Sequence, residues 1–443
     1  MANPVATLWR IPELKSKILF TLLCLLIYRI GAHVTAPWIN VPALREYAGT
    51  LQGTAFGIYD MFVGGGLSRA TIFALGIMPY ISASIMFQLL AAVVPSVEKM
   101  QREGEDGRKK LTQWTRYATV VLSVFQAYGF AKFIETQVPA AVQNPGLAFQ
   151  LMMILTLVTG AIFIMWLGEQ ITERGIGNGM SLLIFFGIIE GLPAALYETG
   201  RLVALDQVNP VALVVLAAML GVVIAGTVAG TMAARKIPVQ IPQKVMGRGR
   251  IRQGQKSFIP LRINMAGVMP IIFAQSIMIV PATLGQFTDV GWLKAVSDTF
   301  AVDTWPYYVT FTVLIVFFTY FYTAIIYNPV DIAENLKKQG AFVPGVKPGA
   351  RTAEYIDRVM TRISLPGSLF LAAIALIPSA LLAAFGVGGL SRVLGGTGLL
   401  ISVGVALDTV QQMQQHLLLR RYDGFMKKGR VKFRGRQQQG GLI

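Results

Sequence analysis

What most constrains this chain is a recurrence: ten apolar runs of about 20 residues, each long enough to cross a hydrocarbon core of about 30 Å as a helix. Their approximate cores are 17–35, 71–94, 114–136, 148–168, 180–197, 210–232, 264–284, 306–327, 363–385 and 397–418. Backbone in hydrocarbon must satisfy its own hydrogen bonds, so such runs predict an all-α polytopic membrane protein with ten transmembrane helices. Composition agrees, with 54% apolar and only 14% charged residues. The segment before the first run is polar and mildly basic. The run itself is long enough to predict a span rather than a cleaved leader.

Charge orients the spans. With the N-terminus placed inside, 32 of the 39 Lys and Arg fall on inside segments. Five fall outside (Arg45, Arg69, Arg201, Lys294 and Arg392), and Arg29 and Lys132 lie within spans. That asymmetry predicts both termini on the cytoplasmic side, and a missed span would scramble it. The net charge of +17 is therefore concentrated on one face. Topology alone requires part of it. The inside loops 233–262 and 328–362 and the basic tail from 419 are longer and more basic than orientation needs. They suit docking of an acidic protein, ribosomal RNA or anionic lipid headgroups.

A short internal repeat divides the chain. Gly76 to Ile81 reads GIMPYI in the second run, and Gly267 to Ile272 reads GVMPII in the seventh. Six residues are weak evidence alone, but runs 2 and 7 hold corresponding places in two sets of five. An odd number of spans per copy inverts the second copy. Two inverted five-helix halves are expected, 1–208 and 209–443, with the working site between them near the bilayer midplane. Pro79 and Pro270 are expected to loosen backbone hydrogen bonding within these spans. Ile77, Ile81 and Ile85 fall four apart, on one helical face. Such a stripe suits lipid contact, a protein core or the lining of a passage.

Several chemistries are not supported. The single cysteine, Cys24, precludes a disulfide framework, and His33 and His416 read as helix-end residues rather than metal ligands. Gly249 to Ser257, GRIRQGQKS, imitates a phosphate-binding loop, but Gln255 intervenes before Lys256 and no apolar strand precedes it. It reads as a mobile basic loop. GIGNG at Gly175 to Gly179 reads as a tight turn between spans 4 and 5. Arg29 and Lys132 lie near span ends and can snorkel. No carboxylate falls mid-span in runs 2, 7 or 10, which weakens the alternative of an inverted-repeat secondary transporter of a small solute. No reactive pair points to an enzyme. Near the expected interface stand Ile77, Ile81, Ser82, Ser84, Ile272 and Ser276, apolar or small, and a narrow apolar constriction closes a passage by dewetting.

At these residues the chain resembles the SecY family of protein-translocation channels. The marks are SRATIFALGIMPYISASI (68–85), MWLGEQITERGIGNGMS (165–181), PLRINMAGVMP (260–270), FFTYFYTAIIYNP (317–329) and ENLKKQGAFVPGVKPG (334–349). Five long stretches in order are specific, and the pattern is of the bacterial type. The resemblance implies a SecY-type channel in the cytoplasmic (inner) membrane. It would pass unfolded secretory polypeptides and release transmembrane segments sideways.

The same resemblance implies roles for particular residues. Ile77, Ile81, Met180, Ile184, Ile272 and Ile401 would form a pore ring, Met180 standing where a branched aliphatic residue is common. The segment at about 53–67 would be a plug, carrying Phe56, Ile58, Tyr59, Met61 and Phe62, with Gly64, Gly65 and Gly66 as its hinge. Spans 2 and 7 would form a lateral gate with Gln88 and Asn264 along it. Arg248, Arg250, Arg252, Lys347, Arg351 and Arg358 would dock a SecA motor or the ribosome. Lys347 would sit at a turn tip where family members carry Arg, and would lack that residue's bidentate fork. Implied partners are SecE-like and SecG-like membrane subunits, signal sequences, nascent membrane segments and anionic lipid. No cofactor is implied.

Overall fold

The computed structural model describes residues 12–51, 55–205, 210–240, 244–246, 250–252, 256–287, 291, 295, 299–300, 304–384 and 395–428. Each expected span carries a helix. Span 1 is α1 (Pro12–Gly31), followed by the short helices α2 (Val41–Thr50) and α3 (Ala55–Phe62). Span 2 is α4 (Met78–Val93), which leads through α5 (Pro95–Arg102) into span 3, α6 (Glu105–Gln137). Spans 4, 5 and 6 are α7 (Leu147–Arg174), α8 (Gly179–Ala204) and α9 (Pro210–Met232). Span 7 is α10 (Met269–Phe287) and span 8 is α11 (Trp305–Ile326). After α12 (Pro329–Lys338) come spans 9 and 10, α13 (Ala350–Ala384) and α14 (Gly396–Lys428).

Local chemistry starts these helices where polar caps stand. The Asn178 side chain accepts from the backbone N–H groups of Met180 and Ser181, and so opens α8 out of the GIGNG turn. Asn328 caps α12 in the same way, and Thr304 caps α11. Large apolar side chains remain exposed in stripes, such as Leu19, Leu22, Leu23, Leu26 and Ile30 on α1 and Leu151 and Leu155 on α7. Three- and four-residue spacing on an outward face is how a helix meets lipid. The protein is multi-pass.

The two repeat segments adopt one backbone. Gly76 has φ +55° and Gly267 φ +64°, a left-handed conformation that only glycine reaches without strain. In each copy the helix then begins at the Met-Pro pair. Contrary to the expectation from sequence, Pro79 and Pro270 therefore do not interrupt their helices. They occupy the first turn, where no intrahelical N–H is required. Within span 2, Thr71 makes an isolated antiparallel bridge to Thr35, residues 72–77 are turns rather than helix, and Ile77 is the N-cap of α4. At 16 residues α4 is about 24 Å long, shorter than the hydrocarbon core. The chain then bends by 108° at Pro95 into α5.

The segment 233–262 differs from expectation. Expected as a basic loop, its described residues instead form antiparallel strand pairs on an otherwise helical fold. β1 (Ala234–Gln240) pairs with β4 (Lys256–Arg262) from Ala234↔Arg262 to Gln240↔Lys256. Beyond them β2 (Lys244–Met246) pairs with β3 (Arg250–Arg252). Ile237, Val239 and Leu261 of the ribbon share an apolar core with Leu336, Val343, Ile356 and Met360. Gln240 and Phe342 exchange both backbone hydrogen bonds at 2.9 Å. The two long basic segments are thus one packed body. Elsewhere the main core runs through the membrane helices, with α4 and α6 of the first half packed on α10, and α8 packed on α14.

Candidate functional site

The expected ring residues, carried by two helices of each half, all fall in or against the main apolar core. It contains Ile77 and Ile81 at the start of α4, Ile184 of α8, Ile272 of α10 and Ile401 of α14, all buried. Met180 packs against the same cluster and is only partly buried. Its thioether turns towards α7, where a Cβ added at Gly168 would lie 2.5 Å from Met180 Sδ. Ile85, one turn beyond Ile81, is also buried. These branched side chains come from backbone elements that belong to different halves of the chain and share the main apolar core.

The segment expected as a plug packs beside these helices. Helix α3 packs on α8 and α10, with Phe56, Tyr59 and Phe62 buried and Ile58 and Met61 partly so. Tyr59 donates its hydroxyl to Leu75 O at 2.9 Å, and a Cβ at Gly187 of α8 would lie 2.8 Å from Phe62 O. Gly64 and Gly65 have φ +69° and +74° and turn the chain back, while Gly66 O accepts from Thr71 N–H. The Asp60 carboxylate holds this turn, accepting from Leu67 N–H at 2.8 Å and Ser68 N–H at 2.9 Å. Burial pushes the Asp60 carboxyl up from its ordinary value, opposed by the bonds from Ser68 and Leu67 and by Arg69. Beside α3, a cavity of about 50 Å³ lined in part by Phe56 and Tyr59 brings together Ser82 of α4 and Ser276 of α10. Gln126 of α6 joins them, and its Oε1 has no hydrogen-bond partner among the described residues.

The two expected gate residues sit in different settings. Gln88 lies within α4, where its amide donates to Ser84 Oγ at 2.9 Å and its carbonyl accepts from the Tyr322 hydroxyl at 2.5 Å. Tyr322 belongs to α11, so this bond ties span 2 to span 8 beside Phe273 of α10, whose ring centroid is 5.1 Å from that of Tyr322. Asn264 lies in the connection before α10, not in the span expected from 264 onwards. Neither Tyr322 nor Gln126 was legible as a site residue, because an isolated polar residue in an apolar run shows no partner.

Sequence reading also missed Glu190. It lies within α8 and pairs with Arg29 of α1, so Arg29 is held by a carboxylate rather than left to snorkel. Glu190 is 8% exposed and Arg29 37%. A Cβ at Gly64 would lie 2.9 Å from Glu190 Oε2, so the pair backs directly onto the glycine turn that follows α3. Lys132 likewise meets Glu135, at 3.3 Å.

On the ribbon side, Lys347 is exposed at a tight turn between Gly345 (φ +82°) and Gly349 (φ +101°), closed by Thr352 Oγ1 donating to Lys347 O at 2.9 Å. Arg351 is exposed nearby, and Arg358 pairs with Glu354 at 3.0 Å. Arg250 and Arg252 lie on β3, and Arg248 lies outside the described residues. Among the described residues no group of three or more His, Cys, Asp or Glu could hold a metal.

Comparison with known proteins gives this geometry its context. A family model described as SecY matches residues 71–410. The protein translocase subunit SecY of Aquifex aeolicus is 42% identical over 433 residues, covering 97% of this chain and 100% of that one. A solved structure described as that of a protein conducting channel superposes with TM-score 0.65 at 17% identity, over 97% of this chain and 100% of that one. Sec61 in a canine ribosome–channel complex from the endoplasmic reticulum superposes with TM-score 0.61 at 16% identity, with the same coverage. The two solved structures share the fold at low identity. The match of the family model through both repeat segments, joined to near full-length identity with the bacterial relative, places the chain in the SecY family.

Proposed function

We propose that this chain is a passive protein-conducting channel and not an enzyme. Unfolded secretory polypeptides would thread the constriction formed by Ile77, Ile81, Met180, Ile184, Ile272 and Ile401. Transmembrane segments would leave sideways between α4 and α10. The observation that carries this reading is the apolar cluster itself, assembled from α4, α8, α10 and α14 with α3 packed against α8 and α10. Narrow apolar side chains exclude water and ions without binding cargo, which suits a cargo of varied chemistry. The helix Ala55–Phe62 is the plug, hinged at Gly64 to Gly66. The halves 1–208 and 209–443 are the bodies that separate on opening.

The ribbon and the turn at Lys347 form the docking face. Arg248, Arg250, Arg252, Arg351 and Arg358 would supply positive charge there to a SecA-type motor or to a ribosome, the partner of the canine Sec61 relative. SecE-like and SecG-like subunits and anionic lipid complete the assembly. The chain sits in the cytoplasmic membrane with both termini in the cytoplasm, which the distribution of Lys and Arg supports.

The test is site-specific crosslinking to an arrested secretory chain. Single cysteines at Ile81, Ile184, Ile272 and Ile401 in a Cys24→Ser background are expected to form adducts, while lipid-facing cysteines on α13 do not. A chain that docks and is translocated without reacting at any of the four sites would reduce the cluster to helix packing.

A further inference from the structure

The connection from β4 to α10 borders a cavity of about 250 Å³. Ser181 of α8, Thr231 of α9, Arg262, Asn264, and Asp408 and Gln411 of α14 contribute to its walls. It adjoins the constriction on the ribbon side. Ser181 follows Met180, Met269 precedes Ile272 by one turn, and Val405 lies one turn beyond Ile401. Asn264 is 5% exposed, yet neither its Oδ1 nor its Nδ2 has a hydrogen-bond partner among the described residues. A buried carboxamide left unpaired is unfavourable, and an apolar residue of similar size would avoid the penalty. Packing therefore gives no reason for an amide here. Arg262 and Asp408 place opposite charges at the cavity, so it does not select a charged solute of either sign.

We infer that this cavity receives the main chain of a polypeptide in transit, with Asn264 pairing to its peptide groups. The inference rests on the channel reading and adds a sequence-independent contact before the ring. A carboxamide is the side-chain counterpart of a peptide group, with an oxygen that accepts from N–H and an amino group that donates to C=O. An extended strand presents both groups along one edge. Recognition through the main chain ignores side-chain identity, as in strand addition to a sheet edge. The apolar ring excludes water, and Asn264 holds the chain in register as it enters.

The experiment uses the full channel complex in vesicles with an arrested secretory chain, and photoreactive residues placed singly at Gln411 and at Ile401. Two arrested chains are compared, identical except that one carries a proline run where the chain crosses the cavity, which removes its N–H donors. Gln411 is expected to crosslink the ordinary chain. Asn264→Leu should lower that yield about two- to tenfold, the range for one lost hydrogen bond, and should change the yield of the proline chain much less. Asn264→Asp, which keeps the size and the acceptor but loses the donor, should fall between and serves if the leucine variant does not assemble. Crosslinking at Ile401 without any at Gln411 overturns the inference and leaves the channel standing. So does a yield at Gln411 that neither variant alters. No crosslink at either site removes the channel reading and this inference together.

Discussion

The entries to span 2 and span 7 share a sequence and a backbone but not a setting. Around Gly76 everything is filled. A Cβ there would lie 2.8 Å from Val63 Cγ2, the plug turn wraps the segment, and Ile77 and Met78 are buried behind it. Around Gly267 a Cβ would meet nothing within 4 Å, and the segment borders the 250 Å³ cavity. One copy of the repeat is packed shut and the other stands open. Inverted symmetry therefore sets the helix start in both halves, and the inserted segment α3 makes only one of them a closed site. The difference teaches that the same repeated backbone can be packed closed in one half and border an open cavity in the other.

The comparison can be broken by substitution, and the largest effect is expected at its packed end. Gly76→Ala combines left-handed backbone strain with overlap on a buried β-branched neighbour, and should destabilise by about 2–4 kcal/mol. Gly267→Ala carries the strain alone, about 1–2 kcal/mol. Thermal unfolding of the two variants in detergent measures the gap, and equal losses would erase the distinction. Next comes Glu190→Ala, which strips Arg29 of its partner behind the plug turn. A loss of about 1–3 kcal/mol is expected, below the range for a fully buried pair because Arg29 is more than a third exposed. The readout is plug release, followed as ion leakage through the resting channel.

Smaller effects sharpen the picture. Tyr322→Phe removes the hydroxyl bond to Gln88 between spans 2 and 8 and should ease sideways exit about two- to tenfold. Insertion rates of a marginally apolar test segment would report it, and an unchanged rate would make that bond a packing detail. The smallest effect concerns Asp60. Burial raises its carboxyl in the seated plug, so the seated state binds the proton more tightly than a solvated plug does. Seating therefore strengthens as pH falls through the raised value towards the ordinary one, and weakens as pH rises. Asp60→Asn keeps an oxygen for Leu67 and Ser68 but carries no charge. It should hold the plug at neutral pH and flatten the pH dependence of leakage.

How much of this was legible in the sequence varied by element. The ten spans were, because hydrocarbon thickness and backbone hydrogen bonding leave a long apolar run few alternatives. The repeat was legible as letters, but its prolines were misread. A proline inside an apolar run and one that opens a helix look alike until the turn before it, here at Gly76 or Gly267, is known. The ribbon 234–262 escaped notice because short basic strands with little alternation show no period, and pairing between residues up to 28 apart decides them. Arg29 read as an isolated charge able to snorkel, and Glu190, 161 positions away, drew no reading. Only the packing of α1 on α8 makes them a pair.

The sequence by itself determined that this chain crosses a membrane many times, how its charge is distributed among the segments between spans, and which family it resembles. Those properties are sums over local residues, and a sum does not need to know what touches what. The tertiary structure decided which isoleucines share a cluster, that the glycine turn at 64–66 rests on Glu190, that two basic segments are one body, and that Asn264 borders a cavity with its amide unpaired among the described residues. These are contacts between distant residues. Their energies depend on who else is excluded from the same space, and no window along the chain contains that information.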